Sequence, residues 1–180
     1  MSRIPLVRRE TAPPDLQAVY DKVVQDHGVV TNMKATLLHS PVALHAVMEW
    51  YSLFERVKPV LGKRLAILFC HAISRENACA LCLTFMRREL IEGGEDPANL
   101  VLDAREQAVV AFGRQLAADA NRVSDELYGQ LAQYFNHTEI VDLTVFGGLM
   151  IVNNLVNSAL QVDLDESLNA YHIQPEQILA

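Results

Sequence analysis

Little in this sequence invites a β-sheet. No segment keeps a period-two alternation of apolar and polar residues, and neither Asn-Gly nor Asp-Gly, the dipeptides that close tight hairpins, occurs in its 180 residues. Positive charge is also scarce: 15 Lys and Arg stand against 22 Asp and Glu, a net charge of −7. Nucleic acid and anionic bilayers select a clustered positive face, which Arg87-Arg88 alone does not make, so neither is an expected partner. The sequence has no Gly-rich phosphate loop and no Gly-x-Ser-x-Gly elbow, so nucleotide or ester chemistry built on those motifs is not expected. Behind Arg3, Arg8 and Arg9 there is no apolar run of the kind that directs secretion, and a reducing cytoplasm is the expected compartment. Cysteines number only three; with no second Cys-x-x-Cys and no His-x-x-x-His, a zinc site would have to recruit scattered histidines. No metal and no cofactor is expected.

What is present is apolar and helical. With 51% hydrophobic and 21% charged residues the chain reads as one domain over 1–180, with an N-terminal arm over 1–14 and a C-terminal tail over 162–180 to which no role is assigned. Ile4-Pro5-Leu6-Val7 reads as extended. Asp15 is the expected cap of a first helix ending near His27-Gly28. Ser40-Pro41 opens a second that Lys58-Pro59 should end. After Gly62 a third runs from Lys63 to Arg75, so apolar that it should be buried on most sides, and a fourth runs from the cysteine pair to Gly93-Gly94. Asp103 and Glu106 form a capping box for the next helix, and Ser124 caps a short one through Tyr134-Phe135. The last, about Thr138 to Leu160, carries Asp142, Asn153, Asn154 and Asn157, which suits a buried helix with a second apolar face on another subunit better than a membrane span. The fold class is all-α, and a homo-oligomer is expected.

Two of the three cysteines sit together in Ser74-Arg75-Glu76-Asn77-Ala78-Cys79-Ala80-Leu81-Cys82. A Cys-x-x-Cys pair that opens a helix has its first thiolate stabilised by the first-turn amides and its second sulfur within disulfide reach. The functional reading is reversible dithiol–disulfide exchange at Cys79 and Cys82; the plain alternative is two small buried hydrophobes. Cys70, inside an apolar helix, reads as inert packing, as do Met33 and Met48. Met86 reads as shaping an apolar pocket beside the thiols.

With Asn32-Met33 ahead of Leu37-Leu38-His39-Ser40-Pro41, the cysteine stretch, Ala104 to Phe112, Val123 to Leu127, and Glu139 to Leu143 leading to Asn153-Asn154, the chain resembles the carboxymuconolactone decarboxylase and alkylhydroperoxidase D-like (AhpD-like) family over most of its length. The resemblance implies an all-helical oligomeric bundle and a peroxidase or disulfide reductase. It implies that Cys82 meets the peroxide and Cys79 resolves, whereas the helix dipole favours Cys79 as the more acidic and accessible thiol. It also implies a proton relay from a glutamate twelve residues before the first cysteine and a histidine four after the second. Here those positions hold Ile67 and Met86. A thiol near its ordinary pKa of ~8.5 is only a few per cent ionised at neutral pH, so activity without compensation should be slow.

Two residues are candidates for that compensation. His71, one turn beyond Ile67, is the candidate surrogate base; otherwise it is a core histidine bonded to a carbonyl. Glu76 is near in sequence but suits solvent at the helix break or a cap of the next helix. Glu139, Ile151, Asn154 and Ser158 repeat the spacing of the family site, a weak two-fold repeat whose second half is chemically silent, and Asn153 and Asn157 are expected to satisfy backbone or cross a subunit interface. The partners implied are a protein or small dithiol reductant and a peroxide or other small substrate. The competing functional class is redox-silent: binding or decarboxylation of a small lactone-like ligand, or an oligomeric scaffold.

Overall fold

The computed structural model describes residues 2–173 and has no strand among them, in line with the all-α expectation. Helix α1 spans Pro14–His27; its N-cap is Pro13, and Asp15 stands in the first turn, where its charge meets the helix dipole without capping. Helix α2, Asn32–Leu37, has no counterpart in the sequence reading, because six residues are too few to show a helical period. Thr31 caps it by accepting the Lys34 N–H. Helix α3, Pro41–Leu61, begins at the expected Ser40 cap but runs through Pro59. A proline within the last turn forfeits one hydrogen bond and leaves the rest of the helix intact, so the stop falls to Gly62, whose φ of +78° no side-chain-bearing residue adopts easily.

Helices α4 (Lys63–Glu76), α5 (Ala80–Glu92), α6 (Ala104–Asp119), α7 (Asp125–Ala132) and α8 (His137–Ala159) follow. The Asp103–Glu106 capping box and the Ser124 cap form as expected, and α8 opens with a second box between Asn136 and Glu139. That box places Glu139 at the surface of a continuous helix, while the segment it was matched to is broken between α4 and α5. The proposed repeat therefore has no local structural copy at that point.

Helix α4 is the axis, packed against α3, α5, α6 and α8. Its Leu65 to Ile73 run is buried almost throughout, as its composition requires, and Phe69 at its centre stacks on Phe112 of α6 and Phe146 of α8 with centroids 6.4 and 6.1 Å away. A second, smaller core of Val7, Val23, Leu37, Leu38, Leu44 and Val47 joins α1, α2 and the start of α3. The arm is docked: Arg3 N–H donates to the Leu160 carbonyl at 2.9 Å and Val7 N–H to the Ala35 carbonyl at 3.1 Å. The tail packs a 3₁₀ turn, Glu166–Tyr171, on α5 through the buried Leu168; residues 174–180, with Pro175, lie outside the described residues. Helix α8 is long and apolar enough to cross a membrane, yet its inward face carries Asn153, Asn154 and Asn157.

Candidate redox site

The break between α4 and α5 positions the cysteines. Ala78 N–H bonds the Arg75 carbonyl and Cys79 N–H the Ser74 carbonyl, each at 3.0 Å, with Ala78 at φ +50°. This is a Schellman ending, with alanine where glycine is usual, at a cost of roughly 1 kcal/mol. The residue that completes it, Cys79, is also the N-cap of α5, and its sulfur accepts the Cys82 N–H at 3.5 Å. Its backbone is thus tied to one helix and its side chain to the next.

The two thiols are made unlike. Cys79 is pushed down to about 7, first by the Cys82 S–H that donates to it and then by the Cys82 and Leu81 N–H groups and the Ser158 hydroxyl, against a desolvation that works the other way. Cys82 is pushed well up, because it is the donor in that pair and is buried. One negative charge is therefore shared between two sulfurs near neutral pH, the first proton leaving easily and the second not. Cys70, fully buried with no such donor, is pushed up by desolvation alone and stays a thiol.

Helix α8 supplies the remaining polar contacts. Asn157 Nδ2 donates to Cys82 Sγ at 3.2 Å. Asn154 Nδ2 donates to Asn77 Oδ1 at 3.2 Å, and its own Oδ1 accepts the Ser74 hydroxyl at 3.2 Å, which locks the turn before Cys79. Of the two asparagines that the sequence assigned to backbone or to an interface, Asn157 meets Cys82 instead and Asn153 lines the cavity beside it, while Asn154, read as a silent repeat position, holds the cysteine stretch. No short-range signal could have revealed this, since Asn157 and Cys82 are 75 residues apart.

Access separates the pair too. Both thiols are buried, Cys79 1% and Cys82 4% exposed, but of the two only Cys82 lines the cavity between the cores, so the expectation that Cys79 is the more accessible is corrected. Cys82 faces a cavity of about 110 Å³ where the two cores meet, with Trp50, Met86, Met150 and Phe85 among its apolar walls. Met33 and Met48 line the same cavity, and Met86 shapes it as expected. Ile67 is core, 4% exposed.

His71 is not brought to the pair. It opens on a different cavity, with Arg75, Leu83 and Arg87, and burial plus the charges of Arg75, Arg114 and Arg87 lower it to about 4. It forms no hydrogen bond to either thiol among the described residues. Glu76 ends α4, exposed on a shallow surface cleft beside Gln107 and Arg114, and the cap of α5 is Cys79. No cluster of His, Cys, Asp and Glu suited to a metal ion occurs among the described residues.

Three solved structures share the fold. An alkylhydroperoxidase AhpD core, a peroxidase-related protein from Ralstonia eutropha JMP134, superposes with a TM-score of 0.69 over 93% of this chain and 94% of its own, at 16% identity. A peroxidase-related protein from Silicibacter sp. TM1040 gives 0.71 over 97% and 95%, at 18% identity. The chain has the AhpD-like fold. A third neighbour, the C82A variant of the debrominase Bmp8 in complex with 2,3,4-tribromopyrrole, gives 0.72 over 93% and 94%, at 16% identity. No protein-family model and no curated protein matches the sequence. At these identities the backbone is what is shared, and the chemistry of this AhpD-like chain rests on its own side chains.

Proposed function

We propose that this protein is a dithiol peroxidase or disulfide reductase working through Cys79 and Cys82. The observation that carries the reading is the division of labour inside the pair: Cys79 holds the charge, at about 7, and Cys82 holds the access. Passing the Cys82 proton to Cys79 turns Cys82 into the thiolate, with the Asn157 amide donating to it. That thiolate attacks the terminal oxygen of a hydroperoxide; the O–O bond breaks, the alkoxide leaves and is protonated by water, and Cys82 becomes a sulfenic acid. Cys79 then loses its proton, attacks the Cys82 sulfur and expels hydroxide, giving the disulfide. One peroxide and two thiols become one alcohol, one water and one disulfide, and an external dithiol, of the kind a reducing cytoplasm supplies, restores the thiols by exchange. A small disulfide entering the cavity would be reduced by the same two attacks.

The amide and hydroxyl donors around the pair stabilise the thiolate, and the proton passes between the two sulfurs rather than through groups at Ile67 and Met86. The test is dithiol-dependent peroxide consumption by the wild type, Cys79→Ser and Cys82→Ser. The reading expects loss in both variants; equal rates in all three would end it.

The protein is further proposed to self-associate through α8. Val141, Val145, Gly148, Val152 and Leu155 recur every three and four residues along its outer face, and the four side-chain-bearing ones are 40–63% exposed. Such a seam suits a second copy of the same helix running antiparallel, with Gly148 opposite Gly148 at the crossing.

A further inference from the structure

The cavity beside Cys82 has a polar end that the thiol chemistry does not use. Lys34, on α2, lines it and is 2% exposed, a burial that lysine tolerates only where its charge has work or a partner. Its ammonium donates to the Val29 carbonyl at 3.1 Å and lies 5.1 Å from the centroid of the Tyr51 ring, and no carboxylate pairs with it among the described residues. Asp165 lines the same cavity, held at the start of α2 where it accepts the Asn32 N–H at 2.8 Å, and favours the ammonium charge from beyond ion-pair distance. His27, tilted against Tyr51 with ring centroids 4.3 Å apart, is a neutral neighbour at neutral pH, its protonation disfavoured by burial and by Lys34 itself. With three N–H donors and one protein acceptor, the ammonium has capacity left for an anion.

Three other lining groups carry buried polar atoms with no partner among the described residues: Trp50 Nε1, Asn153 Oδ1 and Asn157 Oδ1. Native structures leave few such atoms. Here a donor joins Lys34, and two acceptors sit on α8, the helix that also carries the Cys82 contact. Apart from Thr31, Asp165 and Cys82, the remaining wall is methionine, valine, leucine and aromatic. A cavity of about 110 Å³ is of the order of an engineered apolar cavity of about 150 Å³ in another protein that takes up benzene.

We infer that the cavity binds a small molecule with a single ring or short branched apolar body and one anionic oxygen group, the anion held by Lys34 and the far end turned toward Asn153, Asn157 and Cys82. This rests on the proposed function in one respect only: it names the class from which the dithiol's substrate is drawn, an anionic hydroperoxide or disulfide, and the binding itself needs no redox step.

Trp50 is the sole tryptophan of the chain and lines the cavity, so its fluorescence reads occupancy directly. Benzoate and its neutral isostere benzamide are the probes. The wild type should bind benzoate saturably and at least about tenfold more tightly than benzamide, the difference expected of a charge-assisted hydrogen bond in a buried site. The preference should fade as pH rises through about 8, where Lys34 loses its proton. Lys34→Met should abolish the preference while leaving benzamide binding within about twofold, since the apolar wall is unchanged. Equal affinity for the two probes in the wild type, no saturable response to either, or benzoate binding untouched in Lys34→Met would each overturn the inference. The wild-type comparison across pH needs no variant to fold. Repeating the titration with Cys79→Ser/Cys82→Ser separates the two proposals: binding that survives there with no peroxide consumption by the wild type leaves the site and removes the redox reading, and the converse removes the site alone.

Discussion

At the scale of single residues, the proposed chemistry rests on the two sulfurs having different sets of hydrogen-bond donors. Cys79 is served by the first turn of α5 and Cys82 by Asn157. Asn157→Leu should therefore leave the first thiol inflection near pH 7, read from thiolate absorbance, while slowing alkylation of Cys82 about tenfold, because only the form with the charge on Cys82 loses its donor. A shifted inflection with unchanged alkylation would reverse the assignment of the two donors. The fold itself should tolerate the change, since the same substitution removes an unpartnered buried oxygen. The cysteines were legible in the sequence because their chemistry depends on an i, i+3 spacing that helical geometry fixes locally. Lys34, Asp165 and Asn157 were not, because what brings them to the proposed site is burial around a shared cavity, a tertiary fact. His71 illustrates the reverse error: helical spacing placed it one turn from the family position, but its side chain meets arginines.

At the scale of helices, close packing rather than propensity fixes the frame. Gly113 of α6 and Gly147 of α8 press on opposite sides of Phe69; a Cβ on either would lie 2.8 or 2.9 Å from its ring. Alanine in a helix interior is ordinarily better than glycine by about 1 kcal/mol. Here the overlap should win, and Gly113→Ala or Gly147→Ala should destabilise by about 1–3 kcal/mol in urea unfolding. Gly129→Ala on α7, where a Cβ meets nothing within 4 Å, should instead stabilise by roughly 0.5–1 kcal/mol. If all three shift stability in the same direction, the Phe69 contact is not what the helices are set by. Helices with several turns and a cap were readable from their apolar stripes. Helix α2 is too short for a period, and Pro59 misled because a proline's effect depends on how much helix follows it, which Gly62 decides.

At the scale of the whole molecule, the AhpD-like bundle brings Cys79, Cys82 and a cavity lined by Lys34 together by packing α5 and α8 on α4 and α2 on α3. The outer face of α8 then predicts a dimer: Val152→Glu should shift the mass in solution from dimer to monomer with helical content unchanged, and a wild type that is monomeric at every concentration would rule the seam out. The central claim, that Cys79 and Cys82 cycle between thiols and a disulfide, is tested most directly by the intact mass of the chain after mild peroxide treatment. The account predicts the loss of two hydrogens, with Cys79 and Cys82 linked, Cys70 free, and the original mass restored by a dithiol. An unchanged mass with three free thiols under peroxide would contradict it.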